Sequence, residues 1–396
     1  MCANSARLGL VWLWLSIINV SAAEFSGQLS TELRAFSQDA QYPRQLNGLQ
    51  TSIMLAPEWR TYLGDNIQTA LIPYLRVDAR DHQRTHADLR EAYMLYIGNN
   101  WELLLGVNRE FWGVTEARHL INIINQVDAV ENIDEEDYLG QLMLNLTLQR
   151  AYGRFSFYLL PLFRERTFSS EKGRLRAPLS VDESRADYEH QDQQWHTDLA
   201  FRYSHYRGDW DMGVSVFHGT SREPHLRINH QQDALLPYYD QISQLGLELQ
   251  YTQEAMLWKF EGLTRAGQGH TFLASVVGLE YTLFQAFNSQ ADIGFLVEHL
   301  YDGRDRVEAP QTIFQNDLFL GIRVALNDMQ DTTMLAGMMR DLQNESGSLR
   351  LEAERRVGDS IKLELETQLF INAQHDPSIT AFKRDNFVTL TLAQYF

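Results

Sequence analysis

The sequence predicts an all-β protein, a transmembrane antiparallel β-barrel of about eighteen strands with sixteen as the smaller alternative. Three observations carry this prediction. Segments of roughly ten to fourteen residues alternate apolar and polar side chains, the period of a strand whose two faces meet different surroundings. The connections between these segments alternate short and long. The chain opens on one apolar run and closes on an alternating stretch that ends in Phe396.

Composition narrows the class. The chain has 396 residues, with 34 Lys+Arg against 52 Asp+Glu and a formal net charge of -18, so it lacks the basic face that nucleic-acid phosphates require. A mean hydropathy of -0.33 excludes a bundle of transmembrane helices. Arg7 is the only charge before Glu24, Leu8 to Val20 is apolar, and Ser21-Ala22-Ala23 offers a small-residue cleavage pattern. This predicts an export signal over 1–23, cleaved between Ala23 and Glu24, ahead of one barrel domain over 24–396. Cleavage removes Cys2, the single cysteine, and with it disulfides, thiolate catalysis and zinc–cysteine sites.

Taken in order, strands are expected near 25–37, 48–62, 67–79, 86–98, 101–113, 139–150, 154–164, 193–206, 209–220, 241–253, 256–266, 270–285, 291–303, 315–327, 331–342, 346–357, 360–373 and 385–396. Alternation is plainest where Leu142, Leu144, Leu146 and Leu148 interleave with Met143, Asn145 and Thr147, and where Ile361, Leu363, Leu365 and Leu369 interleave with Lys362, Glu364, Glu366 and Gln368. Tight connections such as Gly64-Asp65-Asn66, Asn99-Asn100, Arg207-Gly208-Asp209 and Val357-Gly358-Asp359 separate longer polar ones at 38–47, 80–86, 114–138, 165–192, 221–240, 304–314 and 374–384. Outer-membrane barrels have this asymmetry, with short periplasmic turns and long extracellular loops. Trp59, Trp101, Trp195, Trp210 and Trp258 fall near strand ends, where indole rings suit a bilayer interface.

Two resemblances add to this reading. The closing residues Val388, Leu390, Leu392 and Phe396 resemble the terminal strand that the barrel-assembly machinery of Gram-negative bacteria recognises, with Gln394 departing from the pattern. The runs Leu89-Arg90-Glu91-Ala92-Tyr93, Leu105 to Gly113 and Ile121 to Asp128 resemble a poorly characterised family of porin-like proteobacterial outer-membrane proteins, most specifically over 89–145. The resemblance implies a large outer-membrane barrel with one loop folded toward the lumen, and it implies no substrate.

If the leucine rows face lipid, the opposite rows line a wet lumen, because a charge on the lipid face near the midplane costs ~2–4 kcal/mol. This places Arg76, Glu102, Arg154, Asp198, Arg202, Glu248, Lys259, Glu261, Glu280, Glu298, Arg323, Arg350, Glu352, Lys362 and Glu364 along the channel, with Arg34, Asp317, Glu354 and Glu366 on the same face. The segment 114–138 is the candidate constriction. Leu120, Ile121, Ile124 and Val127 would share one face of a short helix, and Glu131, Asp134, Glu135, Glu136 and Asp137 would charge the pore. No nucleophile elbow, HExxH helix or EF-hand loop occurs, so no catalytic residue, metal or cofactor is expected.

The expectation is an outer-membrane channel, monomeric or homo-oligomeric, for passive diffusion of small polar or charged solutes. Its partners would be outer-membrane lipid and lipopolysaccharide, the assembly machinery and the solute. Two alternatives stand beside it: a barrel for export or uptake of an anionic substrate such as a polysaccharide, and, more remotely, an outer-membrane hydrolase.

Overall fold

A computed structural model describes residues 23–396. The expected signal segment, apart from Ala23, lies outside the described residues. Twenty-one strands follow in chain order: β1 (Glu24–Phe36), β2 (Leu49–Leu63), β3 (Ile67–Asp78), β4 (His86–Ile97), β5 (Trp101–Asn108), β6 (Gln141–Arg150), β7 (Gly153–Leu160), β8 (Asp187–Tyr188), β9 (Asp198–Arg207), β10 (Trp210–Thr220), β11 (His225–Ile228), β12 (Leu235–Tyr239), β13 (Gln241–Gln253), β14 (Met256–Ala266), β15 (Phe272–Leu283), β16 (Asp292–Asp302), β17 (Asn316–Ala325), β18 (Thr333–Asp341), β19 (Gly347–Val357), β20 (Ile361–Ile371) and β21 (Phe387–Tyr395).

Eighteen of them form one antiparallel sheet in which each strand pairs with its neighbours along the chain. The register Gln28↔Tyr395 to Phe36↔Phe387 joins β21 to β1 and closes the barrel. Closure leaves no unpaired strand edge, a requirement in hydrocarbon, where a backbone N–H or C=O finds no water. The other three strands, β8, β11 and β12, build a small separate sheet from the long loops 161–197 and 221–240.

Alternation sorts the side chains in the opposite sense to a soluble protein. On β1 and β2, Leu29 and Ile53 are 43% and 55% exposed, whereas Glu32 and Arg34 are 7% and 4% exposed. The same contrast recurs at Leu71 against Arg76, Leu245 against Glu248 and Val297 against Glu298. An outer surface of leucine, isoleucine and valine over an interior of arginine and carboxylate is stable only with hydrocarbon outside. Trp59, Trp101, Trp210 and Trp258 lie near the short-turn ends of β2, β5, β10 and β14. There Tyr96 stacks on Trp101 at 5.0 Å and Tyr251 packs on Trp210 at 4.6 Å, the amphipathic girdle of a bilayer interface.

Three expectations are corrected. The strand expected over 101–113 ends at Asn108, and the one expected over 193–206 begins at Asp198, after a single 3-10 turn at Gln193–Trp195. The segment 114–138 forms no helix; it runs through turns to an isolated bridge, Val127↔Tyr138. Its amides bond to carboxylates of the barrel wall, which removes the advantage of a helical ladder. The small sheet of β8, β11 and β12 was not anticipated.

The seam of the barrel depends on the last residue. Phe396 N donates to Gly27 O at 3.1 Å and Gly27 N donates to Phe396 O at 3.0 Å, while the Phe396 ring packs on Phe25 at 5.6 Å. A side chain at Gly27 would meet that ring at 2.6 Å. Deleting Phe396 removes two ladder bonds worth ~1 kcal/mol each. The deletion is expected to slow barrel insertion and lower the temperature at which the folded band on a gel unfolds, with export unchanged. Unaltered folding kinetics would contradict this. The topology makes a second prediction: in intact cells a cysteine placed at Ser184 is labelled by an impermeant maleimide, and cysteines at Asn99 or Gly358 are not. The reverse pattern would invert the orientation.

Candidate functional site

The segment 109–140, between β5 and β6, folds into the barrel because one half of the inner wall is apolar. Trp112, Ile121, Ile123 and Ile124 are buried against Leu104, Met143, Tyr158, Leu160, Phe217 and Ile242. Leu120 packs with Leu263, Phe272, Val276, Leu296 and Phe319. Each such side chain removed from water stabilises the infolded position by ~1.5–3 kcal/mol.

Wall carboxylates hold the loop backbone. Glu261 Oε1 accepts from Val114 N at 2.6 Å, Thr115 N at 2.9 Å and Thr115 Oγ1 at 2.7 Å, and its Oε2 accepts from Ile121 N at 3.2 Å. Glu298 accepts from Glu116 N at 2.9 Å and Ala117 N at 2.8 Å. Both glutamates were expected to line the channel. They point inward as expected, but beneath the loop, where they organise its backbone.

Ion pairs fix the second arm of the loop. Arg76 lies 2.7 Å from Glu131, and Arg84 reaches Glu32 at 2.8 Å and Asp78 at 3.1 Å. Arg90 bonds Asp128 at 2.5 Å, and His86 Nε2 lies 3.2 Å from the same carboxylate. Burial works against charge on Asp128, yet the hydrogen bond from His86 and the charge of Arg90 hold its carboxyl below the usual range. His86, Asp128 and Glu131 place candidate metal-ligand atoms within 4.8 Å of one another, but Arg90 and Arg76 already neutralise both carboxylates. Asp134 pairs with Arg350 at 2.7 Å, Glu135 with Arg166 at 2.6 Å and Glu116 with Arg323 at 2.5 Å. Glu136 lies 3.6 Å from Arg350, and Asp137 is exposed to the passage.

The remaining inward residues pair with one another along a single strand or between strands one or two places apart. Arg154 faces Glu102 at 3.4 Å, Lys259 faces Glu280 at 3.2 Å and Lys362 lies between Glu354 at 2.5 Å and Glu364 at 3.1 Å. Arg202 pairs with Glu248 and Arg350 with Glu352. Asp198 is sealed under the loops, bonded to Arg222 at 2.7 Å. Glu32, Arg84 and Glu116 were not singled out from the sequence. Glu32 shares the inward parity of Arg34 and was legible on that ground, whereas Arg84 and Glu116 lie in loops where parity does not apply.

At the long-loop end, buried pairs knit the loops together. Arg174 bonds Asp385 at 2.7 Å, joining 161–197 to 372–386. Burial disfavours charge on Glu223, but the guanidiniums of Arg304, Arg265 and Arg118 prevail and hold its carboxyl well below the ordinary range.

Open space remains inside the barrel along β17 to β21 and β1 to β3. Its wider part, about 560 Å³, is lined by ten carboxylates and five guanidiniums, among them Glu116, Asp134, Glu136, Asp137, Glu352, Glu364 and Arg350. Toward the long loops it meets a cavity of about 140 Å³ that shares Glu116, Asp134, Glu136, Arg350, Glu352 and Glu366. A separate space of about 580 Å³ lies under the loop beside Arg154, Arg202 and Glu248. The loop therefore leaves the open space off-centre. Replacing Glu261 and Glu298 together with Ala removes hydrogen bonds to charged acceptors, each worth ~1.5–3 kcal/mol. The double variant is expected to raise single-channel conductance about twofold or more. Unchanged conductance would show that apolar packing alone retains the loop.

No family profile matches the chain, and no curated protein matches it. Solved structures do. Wzi of Escherichia coli, described as an outer-membrane, carbohydrate-binding β-barrel involved in group 1 capsule assembly, aligns with a TM-score of 0.55 at 9% identity over 94% of this chain and 84% of its own. OccD3 (OpdP) of Pseudomonas aeruginosa aligns with a TM-score of 0.51 at 9% identity over 94% and 91%. A mutant of the Rh. blastica porin aligns at 0.45 with 8% identity over 94% and 100%. By fold, the chain is a closed, porin-like antiparallel β-barrel of eighteen strands.

Proposed function

We propose that the protein is an outer-membrane channel for passive diffusion of small polar solutes, with a preference for cations. The observation that carries this reading is the charge of the passage, where carboxylates outnumber guanidiniums by ten to five. The five guanidiniums pair with acids of the loop and wall, among them Glu116 and Asp134, so the surplus along this lining is negative. Fixed negative charge beside confined water raises local cation concentration and repels anions.

In this reading the first 23 residues are a cleaved export signal, the apolar belt meets lipid and lipopolysaccharide, and Phe396 addresses the chain to the assembly machinery. The protein acts alone or as a homo-oligomer, and no step requires a catalytic residue. The carbohydrate reading draws on the likeness to Wzi, which is described as carbohydrate-binding. The acidic surplus disfavours an anionic polysaccharide, which would meet repulsion along the same route.

Planar-bilayer recording under a salt gradient tests the proposal. The expected reversal potential is cation-selective at low salt and decays toward molar salt, where the Debye length shrinks to ~3 Å. Glu136→Gln with Asp137→Asn should cut the cation-to-anion permeability ratio by about half, because two of the charges facing the passage disappear. An anion-selective potential in the unaltered protein would overturn the reading.

A further inference from the structure

The cavity of about 140 Å³ above the constriction has two kinds of lining. One is apolar: Phe314, Phe319, Leu335, Met339, Phe370 and Ile379. The other is acidic. Asp317, Asp341 and Asp376 are 2%, 3% and 1% exposed, and Glu366 completes the set. Among the described residues none of these four carboxylates has an ion pair, in contrast to Asp128, Glu131, Asp198 and Asp385, each of which lies against an arginine.

The hydrogen bonds these carboxylates accept come from neutral groups. Asp317 takes Gln315 N at 2.7 Å, Asp341 takes Gln343 N at 2.6 Å and Asn344 N at 2.7 Å, and Asp376 takes Ser378 N at 2.8 Å and Ser346 Oγ at 3.0 Å. Glu366 accepts from Asn132 Nδ2 at 2.8 Å. Asp317 and Asp341 are direct register partners on β17 and β18. Like charges placed opposite one another on adjacent strands destabilise the pair, and buried charge without compensation is costly. The lining supplies a single cation, Arg350, which is engaged by Asp134 and Glu352 at the constriction. The cavity is thus short of positive charge.

We propose that this cavity binds a small organic cation with an apolar body, an ammonium group joined to an aromatic or aliphatic moiety. A bare metal ion suits it less: among the described residues the one group of three His, Cys, Asp or Glu whose ligand atoms converge within 4.8 Å is His86, Asp128 and Glu131, outside this cavity. Carboxylates spread over an apolar floor match a bulky, weakly hydrated cation, and the rings of Phe319 and Phe370 add cation–π attraction. The ring face of Phe314 already receives a guanidinium, that of Arg118, at 4.9 Å. The volume has room for roughly ten water-sized groups, the size of a one-ring ammonium ion. That the site is a station on a transport route rests on the channel reading above; binding itself does not.

Titration calorimetry of the full-length mature protein in non-ionic detergent tests this, with benzyltrimethylammonium, tetramethylammonium and benzyl alcohol as probes. Benzyltrimethylammonium is expected to bind about tenfold or more tighter than either of the others, since only it offers both charge and apolar surface. Asp317→Asn with Asp341→Asn keeps the shape and, on each residue, the one oxygen that accepts from backbone amides, and it relieves a repulsion, so the barrel should fold; its affinity for benzyltrimethylammonium should fall about tenfold. Phe370→Leu should weaken both ammonium ions, benzyltrimethylammonium the more because it also loses ring packing, and so narrow the difference between the two. Equal affinity for the three probes, or undiminished binding by the aspartate double variant, overturns the proposal. Cation-selective conductance without benzyltrimethylammonium binding sinks this site and spares the channel; the predicted binding in a protein that conducts no ions spares the site and sinks the channel.

Discussion

Everything in this molecule depends on pairing every backbone amide and carbonyl without help from water. In hydrocarbon an open sheet edge is untenable, so the eighteen strands must close, and they close where β1 meets β21. That constraint explains why so much is concentrated at the two ends of the chain. Gly27 has no side chain because the Phe396 ring occupies the place a Cβ would need, and Phe396 completes the ladder with its own backbone. Once the sheet is closed, strand parity is no longer free. Each outward residue must suit lipid, and each inward residue must find a partner in a confined polar space.

The interior meets that second demand by dividing in two. Where β5 to β16 present apolar inward residues, the loop 109–140 lays Trp112, Ile121 and Ile124 on Leu104, Met143 and Phe217, and Leu120 on Leu296. Where the wall carries arginines, from β1 and β3 round to β19, the loop presents Glu131 and Asp134. Between these arms Glu261 and Glu298 spend their lone pairs on loop amides. Fully buried carboxylates are stable there because each is solvated by backbone donors in place of water. The loop is therefore an integral part of the barrel, and the route that remains is displaced toward the charged side.

Much of this was legible in the sequence, and the boundary of legibility has a physical cause. Strands 241–253 and 256–266 were read to the residue because one face meets lipid and the other meets charge, which stamps a period of two on the chain. Inward placement of Arg76, Glu248 or Arg350 follows from the same parity. Parity is silent wherever the backbone leaves the sheet. Leu120, Ile121 and Ile124 have the spacing of a helix face, yet they serve two different wall clusters, Leu120 in one and the isoleucines in the other, and no helix forms. The strands β8, β11 and β12 are too short to carry a period, and β8 pairs with β12 in parallel across distant loops. Parity also cannot tell an inward residue facing water from one lying beneath a loop, which is why Glu261 and Asp198 read the same as Glu364.

A count of acids and bases over the whole lumen overstates the field, because most pairs cancel locally: Arg202 with Glu248, Arg174 with Asp385, Arg222 with Asp198. On the proposed channel reading, what would act on a passing ion is the remainder that lines the open space. That remainder is negative at both of its stations, at Glu136 and Asp137 beside the constriction and at Asp317, Asp341 and Asp376 above it. The two stations differ in their surroundings. The lower one is polar and wide, so a hydrated ion keeps its water; the upper one is walled by phenylalanine, leucine and methionine, so a cation there exchanges water for ring faces and carboxylates. On the proposed reading, a solute entering from the long-loop side would meet the apolar, carboxylate-lined cavity first and the polar, acidic space second, and that order follows from where the infolded loop crosses the wall.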